Sequence, residues 1–213
     1  MHKRFGISCI ILGICCLIAS VGLIAYNRLE EINAQKASQN ILQEVRESIP
    51  DNTFAESTTE DRERDEFMEI TPDILGQMPT IPIDGYDCMG ILSIPVLELE
   101  LPVLTDWNYT KLRTAPCHYY GSCYEKNFVI GGHNYQSHFG RLSELQPEDL
   151  ILFTDIAGTV YCYEVILLET LPGNAVEEMI TSGFDLSLYT CTLGGSNRVT
   201  VRCNAVDWSK AAN

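Results

Sequence analysis

The stretch Leu186-Ser-Leu-Tyr-Thr-Cys-Thr-Leu-Gly-Gly-Ser-Asn-Arg-Val-Thr-Val-Arg202 contains two strand-like runs joined by a short segment with two adjacent glycines. Alternating apolar positions predict one strand that ends at Cys191 and a second that begins at Asn197. Because antiparallel strands with a short glycine-containing connection lie side by side, we expect Cys191 to lie close to Arg198.

The chemistry of a reactive thiol points to a third residue, His133, in the run Phe128-Val-Ile-Gly-Gly-His133. A thiol attacks a carbonyl as the thiolate, so it needs a proton acceptor, and the tetrahedral intermediate needs a donor for its oxyanion. His133 and Arg198 would supply these groups to Cys191. Their distance in sequence is no objection, since such partners meet in space.

Each of these three assignments has an alternative. His138 is a second candidate base, although His133 directly follows a strand that can aim it. Arg202 competes with Arg198, because alternation puts both on one face of the second strand. Cys191 taken alone would be read as a buried core thiol, and the combination with His133 and Arg198 favours catalysis.

These motifs resemble those of the sortase family. Its nucleophile signature, Thr-Leu-x-Thr-Cys followed by an arginine in the next strand, corresponds to Ser187-Leu-Tyr-Thr-Cys191 and Arg198, with serine in place of the first threonine. The histidine motif corresponds to Phe128-Val-Ile-Gly-Gly-His133. Further matching residues follow that histidine and open the domain: Phe139, Leu142, Gly90-Ile-Leu-Ser-Ile-Pro95 and Leu99-Glu-Leu-Pro102-Val. The resemblance covers about residues 86 to 206.

The resemblance implies a mainly β fold, a closed barrel of about eight strands with a few short helices. It implies a Gram-positive type of cysteine transpeptidase that cleaves a C-terminal, LPxTG-like sorting signal of secreted proteins. Cys191 would form the thioacyl intermediate, His133 would transfer protons and Arg198 would bind the oxyanion. The acceptor would be an amine on a cell-wall precursor or a pilin, and no cofactor is required. Candidate substrate-lining positions are Leu97, Leu99, Leu188 and Thr190.

Departures from the family pattern bear on the subclass, which we expect to be class B-like or class D/E-like. The connection over 192–197 is short, whereas one branch inserts a helix there. No lid motif of the Asp-Pro-Trp kind and no second apolar segment after the last strand are seen. These features favour attachment of proteins to the cell wall over pilin polymerisation. A hydrolytic cysteine protease and a non-catalytic peptide-binding barrel remain as alternatives.

An uncharged apolar segment over 5–26 is long enough to span a bilayer as a helix. His2-Lys-Arg4 precedes it, which predicts a cytoplasmic N-terminus and an extracellular catalytic domain in the cell membrane. A cleaved signal peptide is the alternative, but the apolar run is long and no small-x-small site follows it. We therefore divide the chain into an anchor (1–26), a stalk (27–80) and a catalytic domain (81–213).

The net charge of −15 argues against a nucleic-acid partner, because phosphate binding requires clustered basic residues. Many of the acidic residues lie in the stalk. We expect 27 to about 48 to continue the anchor helix and 50–80 to form a disordered acidic spacer.

The remaining segment predicts one domain built from short strands. Strands are expected at about 88–94, 97–104, 127–132, 149–155, 158–170, 186–191 and 197–206, with helical pieces near 108–114 and 174–182. So many short strands favour a closed barrel, which leaves few unpaired edges.

The other cysteines and acidic residues permit several further readings. Cys117 and Cys123 are close enough in sequence to form a disulfide, whereas Cys162 and Cys203 are expected to be packed thiols. A zinc site at Cys117, His118, Cys123 and His133 is disfavoured, since these residues lack the usual ligand spacing. A calcium site is a further, weak alternative from five carboxylates, Glu144, Glu148, Asp149, Glu177 and Glu178.

Overall fold

The computed structural model describes residues 2–50 and 78–207, so the predicted spacer lies largely outside the described residues. The described residues form three α-helices and nine β-strands. The helices are α1 (His2–Ser48), α2 (Tyr109–Leu112) and α3 (Val176–Ile180). The strands are β1 (Ile81–Ile83), β2 (Tyr86–Ile94), β3 (Leu99–Leu104), β4 (Cys117–Tyr120), β5 (Phe128–Gly132), β6 (Leu150–Asp155), β7 (Val160–Pro172), β8 (Leu186–Cys191) and β9 (Asn197–Ala205). Short 3-10 turns occupy Pro95–Leu97 and Leu142–Glu144.

Eight strands close into a barrel, in the order β2-β3-β4-β5-β8-β9-β7-β6, and a β6 to β2 pairing completes the ring. Strand β1 is added to β2 outside this ring. Most neighbours are antiparallel, but β3 pairs with β4, and β5 with β8, in parallel. The predicted closed barrel of about eight strands is therefore confirmed.

The barrel interior is filled by the inward residues of these strands. Its large side chains include Phe128, Phe139, Phe153 and Ile151, all without exposed surface. Burying one such side chain contributes roughly 1.5–3 kcal/mol, so the interior stabilises the ring that carries the site.

Helix α1 packs on the outside of β1, β2 and β3. Its buried positions, Ala34, Ser38, Ile41 and Val45, recur at alternating spacings of four and three residues and form one face of the helix. Ile41 and Val45 join a second apolar cluster with residues of the barrel wall. The predicted helical continuation from 27 to about 48 is confirmed, and it is packed against the domain.

Two short strands were not predicted. Strand β1 has three residues with Pro82 at its centre, and proline in a strand is tolerated at a sheet edge, where β1 lies. Strand β4, Cys-His-Tyr-Tyr, has no apolar alternation to reveal it.

The cysteines of the barrel are free thiols. Cys117 and Cys123 are both buried and unpaired with each other, so the disulfide considered from their spacing is not formed. The packed thiols expected at Cys162 and Cys203 are confirmed by their burial. Burial raises the pKa of both Cys117 and Cys123 to about 12, which keeps these thiols protonated and unreactive.

Candidate active site

Three neighbouring strands bring the predicted catalytic residues to one edge of the barrel. Cys191 is the last residue of β8 and lies directly opposite Arg198 of β9, so their Cα atoms are about 5 Å apart. On the other side of β8, β5 runs parallel, and Gly132 pairs with Thr190. His133 directly follows β5 and Cys191 ends β8, so both lie at the same edge of the barrel.

The side chains at this edge point outward from the barrel core. Tyr189 and Cys191 share one face of β8, because side chains alternate along a strand. A side chain at Gly131 would collide with the Tyr189 ring, and one at Gly132 would collide with the buried Phe139 ring. Gly131 therefore faces the same side as Tyr189, and Gly132 faces the core. Because side chains alternate, His133 returns to the side of Tyr189, which is also the side of Cys191.

His133 sits in a half-buried position beside Tyr135. Their rings are stacked, with centroids 3.9 Å apart. Burial, with a smaller contribution from the Arg113 guanidinium, holds the pKa of His133 below its ordinary value. The resting imidazole is therefore neutral near pH 7 and is able to accept a proton.

The alternative base, His138, is placed differently. It has no exposed surface, and burial together with nearby His133 lowers its pKa to about 4. A residue that the solvent and a substrate cannot reach is a poor proton carrier, so the structure favours His133.

The two candidate arginines differ in the same way. Arg202 is 2% exposed and its guanidinium is fully engaged, donating to the Glu169 carboxylate, the Ser187 hydroxyl and the carbonyls of Glu178 and Met179. Arg198 donates to the exposed carbonyls of Gly195 and Asn197. A substrate oxygen can replace such exposed acceptors at low cost, which favours Arg198.

An aromatic groove lies beside Arg198. It has a volume of about 160 Å³ and is lined by residues of β7, β8, β9 and α3 and of the segment around α2 and β4. Its aromatic members are Trp107, Tyr109, Tyr119 and Tyr189. The Trp107–Tyr119 and Tyr119–Tyr189 ring pairs are edge-on, with centroids 5.8 and 5.5 Å apart. The sequence analysis did not predict this groove. The adjacent tyrosines Tyr119 and Tyr120 are the local sequence feature that could have suggested it.

The four predicted substrate-lining residues are not brought to this edge. Leu188 and Thr190 lie on the opposite face of β8 from Cys191, and both are buried. The Thr190 hydroxyl donates to the Gly132 carbonyl at 2.9 Å. Leu97 and Leu99 border a separate groove between the barrel and α1, which none of the three catalytic candidates lines.

The acidic residues considered for calcium are scattered. Among residues 2–50 and 78–207, no group of three or more His, Cys, Asp or Glu side chains is placed to hold a metal ion. Glu144 pairs instead with Arg141, and Asp149 accepts a hydrogen bond from the backbone of Gln146.

The chain and its fold match known proteins. The family described as Sortase domain matches residues 92–206, more than half of the chain. Sortase A from Corynebacterium diphtheriae is 24% identical with a TM-score of 0.52, and the alignment covers 57% of this chain and 62% of that one. Sortase C1 from Streptococcus agalactiae is 27% identical with a TM-score of 0.51, covering 59% of this chain and 70% of that one.

Other solved structures extend the same likeness. Sortase C of Clostridium perfringens, solved with a C-terminal cell wall sorting motif, is 20% identical with a TM-score of 0.51, covering 57% of this chain and 71% of that one. Because sortase A and sortase C structures match equally well, the fold does not distinguish the subclasses. No curated protein matches the chain significantly.

Proposed function

Because this chain belongs to the sortase family, we propose that it is a membrane-anchored cysteine transpeptidase with Cys191, His133 and Arg198 as its catalytic residues. Helix α1 is long and apolar enough to cross a membrane. We propose that it holds the barrel at the outer face of the cell membrane. The substrates would be secreted proteins with a C-terminal sorting signal of the LPxTG kind.

In the first half-reaction, the neutral His133 imidazole accepts the thiol proton of Cys191, and the thiolate sulfur attacks the threonine carbonyl carbon of the signal. Arg198 donates hydrogen bonds to the resulting oxyanion. The amide bond to glycine breaks, His133 passes its proton to the departing amine, and a thioester to Cys191 remains.

In the second half-reaction, an amine attacks the thioester carbonyl. His133 takes a proton from the attacking nitrogen, the new amide forms as the Cys191 thiolate leaves, and His133 returns its proton to that thiolate. No cofactor enters either step. The aromatic groove beside Arg198 would hold the apolar residues that precede the cleaved bond, since tyrosine and tryptophan rings bind such side chains well.

One observation carries this proposal: the register that sets Cys191 opposite Arg198 while His133 leaves the adjacent parallel strand at the same edge. The alternatives His138 and Arg202 fit less well, because both side chains are buried.

The experiment uses the full chain in lipid vesicles with a panel of sorting-signal peptides and two amine acceptors, a cell-wall precursor peptide and a pilin lysine peptide. Intact mass spectrometry should show a thioacyl adduct on the wild-type chain, an amine-dependent product, and neither with Cys191→Ala. The pilin arm tests pilin polymerisation, since a similar structure, sortase C of Streptococcus pneumoniae, is described for its pilin substrate specificity. An adduct that only hydrolyses would indicate a protease, and no adduct with any peptide would refute the catalytic assignment.

A further inference from the structure

Helix α1 connects the apolar segment to the barrel without a break. It runs from His2 to Ser48, and residues 34–45 of the same helix pack on the barrel wall. At 1.5 Å per residue, the apolar segment 5–26 is about 33 Å long, which matches the hydrocarbon thickness of a bilayer. A rigid helix, with no flexible spacer in between, therefore sets the position of the barrel relative to this segment.

Between these two parts, α1 passes the edge of the barrel that carries His133. The Glu31 carboxylate accepts a hydrogen bond from the backbone N–H of Gln136 at 2.8 Å. Glu30 pairs with Arg113, just after α2, at 3.6 Å. These two contacts join the helix to the loop after His133 and to the neighbouring α2 segment, so α1 is held against the catalytic edge.

A cleft of about 490 Å³ lies where α1 meets this edge. Its lining indicates which barrel residues lie beside which part of the helix. Its α1 wall includes Ile24, and its barrel walls include His133 and Leu193. Ile24 belongs to the apolar segment, whose last residue is Tyr26. The α1 wall extends from Ile24 to Glu31, about 10 Å along the helix axis, so a barrel residue that lines this cleft lies within about that distance of the end of the apolar segment.

Among the barrel residues that line this cleft, Leu193 is a large apolar side chain that is almost fully exposed. It lies in the connection from Cys191 to Arg198 and is 97% exposed, the highest value among the exposed large apolar residues of the described chain. Tyr26 and Arg28 on α1 are also exposed, at the end of the apolar segment. Tyrosine and arginine at such a position are typical of the boundary between lipid and water.

We propose that the connection 192–197 docks on the membrane surface through Leu193, so that the active site opens at the level of the lipid headgroups. The occupant of this exposed surface is the bilayer, because the surface is continuous with a helix that spans it. The proposal rests on the membrane anchoring given under the proposed function. It adds that the loop between nucleophile and arginine is itself a lipid contact, which favours substrates and acceptors that are held in the membrane.

The test is photocrosslinking of the full chain in vesicles of phosphatidylcholine and phosphatidylglycerol. p-Benzoylphenylalanine is placed at Leu193, at Ile24 as the positive control, or at Val96 as the matched control. Val96 is also apolar and exposed. Its neighbour Leu97 shares a groove with Gln35 of α1, about 17 Å further from the membrane along the helix axis than Ile24.

After irradiation, mass spectrometry should show lipid adducts at positions 193 and 24 and at least tenfold less adduct at position 96. If position 193 gives no more adduct than position 96 while position 24 is labelled, the proposal is refuted. Turnover of a soluble signal peptide by the unmodified chain is measured in the same vesicles. Failure of turnover would count against the transpeptidase assignment alone, because the crosslinking pattern is read independently of it.

Discussion

Arg198 and Arg202 lie four residues apart on one face of β9, and their replacement should separate stability from catalysis. Arg202 is nearly without exposed surface and ties α3 and Glu169 of β7 to the Ser187 hydroxyl of β8. Arg198 donates to two carbonyls of an exposed connection. Arg202 therefore holds the sheet together, whereas Arg198 is available to a substrate.

The magnitudes follow from these contacts. Removing one partner of a buried ion pair lowers the free energy of unfolding by about 3–5 kcal/mol. Because the Glu169 side chain is 36% exposed, we expect Arg202→Met to lower it by about 3 kcal/mol, near the lower limit of that range. For a domain of this size, that lowers Tm by roughly 10 °C. Arg198→Met should change the free energy of unfolding by less than about 1 kcal/mol, because exposed hydrogen bonds are readily replaced by water.

The assays are thermal unfolding of the full chain in detergent and the rate of thioacyl formation with an excess of signal peptide. Arg198→Met should lower that rate about 100- to 1000-fold with little change in Tm, the usual cost of losing one oxyanion donor. Arg202→Met should lower Tm and, well below its Tm, retain most of the rate. An Arg198→Met chain with near-normal rate, or an Arg202→Met chain with normal Tm and no activity, would refute the reasoning.

Three further predictions concern the core and the helix. The pKa of His138 is about 4 in the folded chain and about 6.5 when unfolded, so the unfolded state binds the proton first as pH falls. Protonation of His138 should therefore lower the free energy of unfolding by about 3 kcal/mol between pH 6.5 and 4. His138→Phe should flatten that slope in urea titrations at several pH values, and an unchanged slope would contradict the assignment. Gly132→Ala should cost about 1–3 kcal/mol because the new methyl group meets the buried Phe139 ring, and Phe139→Leu in the same chain should recover part of it; additive losses would count against this contact. Ile41→Ala should cost about 2–5 kcal/mol and speed hydrogen exchange over residues 27–48, whereas exposed Gln43→Ala should change little; equal effects of the two would show that α1 is not packed on the barrel.

The positions of the three catalytic candidates could be predicted from local pattern, whereas the topology of the closed barrel was predicted from the family resemblance. Alternation and a short glycine-containing connection set Cys191 opposite Arg198, and a strand of apolar residues ends just before His133. The same local pattern could not separate Arg198 from Arg202. Their difference lies in Glu169 and α3, which are distant in sequence from β9.

The aromatic groove could not be predicted for a related reason. Alternation shows that Leu188 and Cys191 lie on opposite faces of β8, but a strand that closes a barrel does not reveal which face is the core. Trp107, Tyr119 and Tyr189 come from three separate segments, and only the closed sheet brings their rings together.

The sequence by itself identified the family through its short motifs, and the resemblance to that family implied the closed barrel and the candidate catalytic residues. The apolar composition of residues 5–26 indicated a helix long enough to span a membrane. The tertiary structure alone decided which histidine and arginine are accessible, where the aromatic groove lies, and that helix α1 packs beside the edge that carries Cys191. Burial and contact between distant segments set those properties, and no local pattern records them.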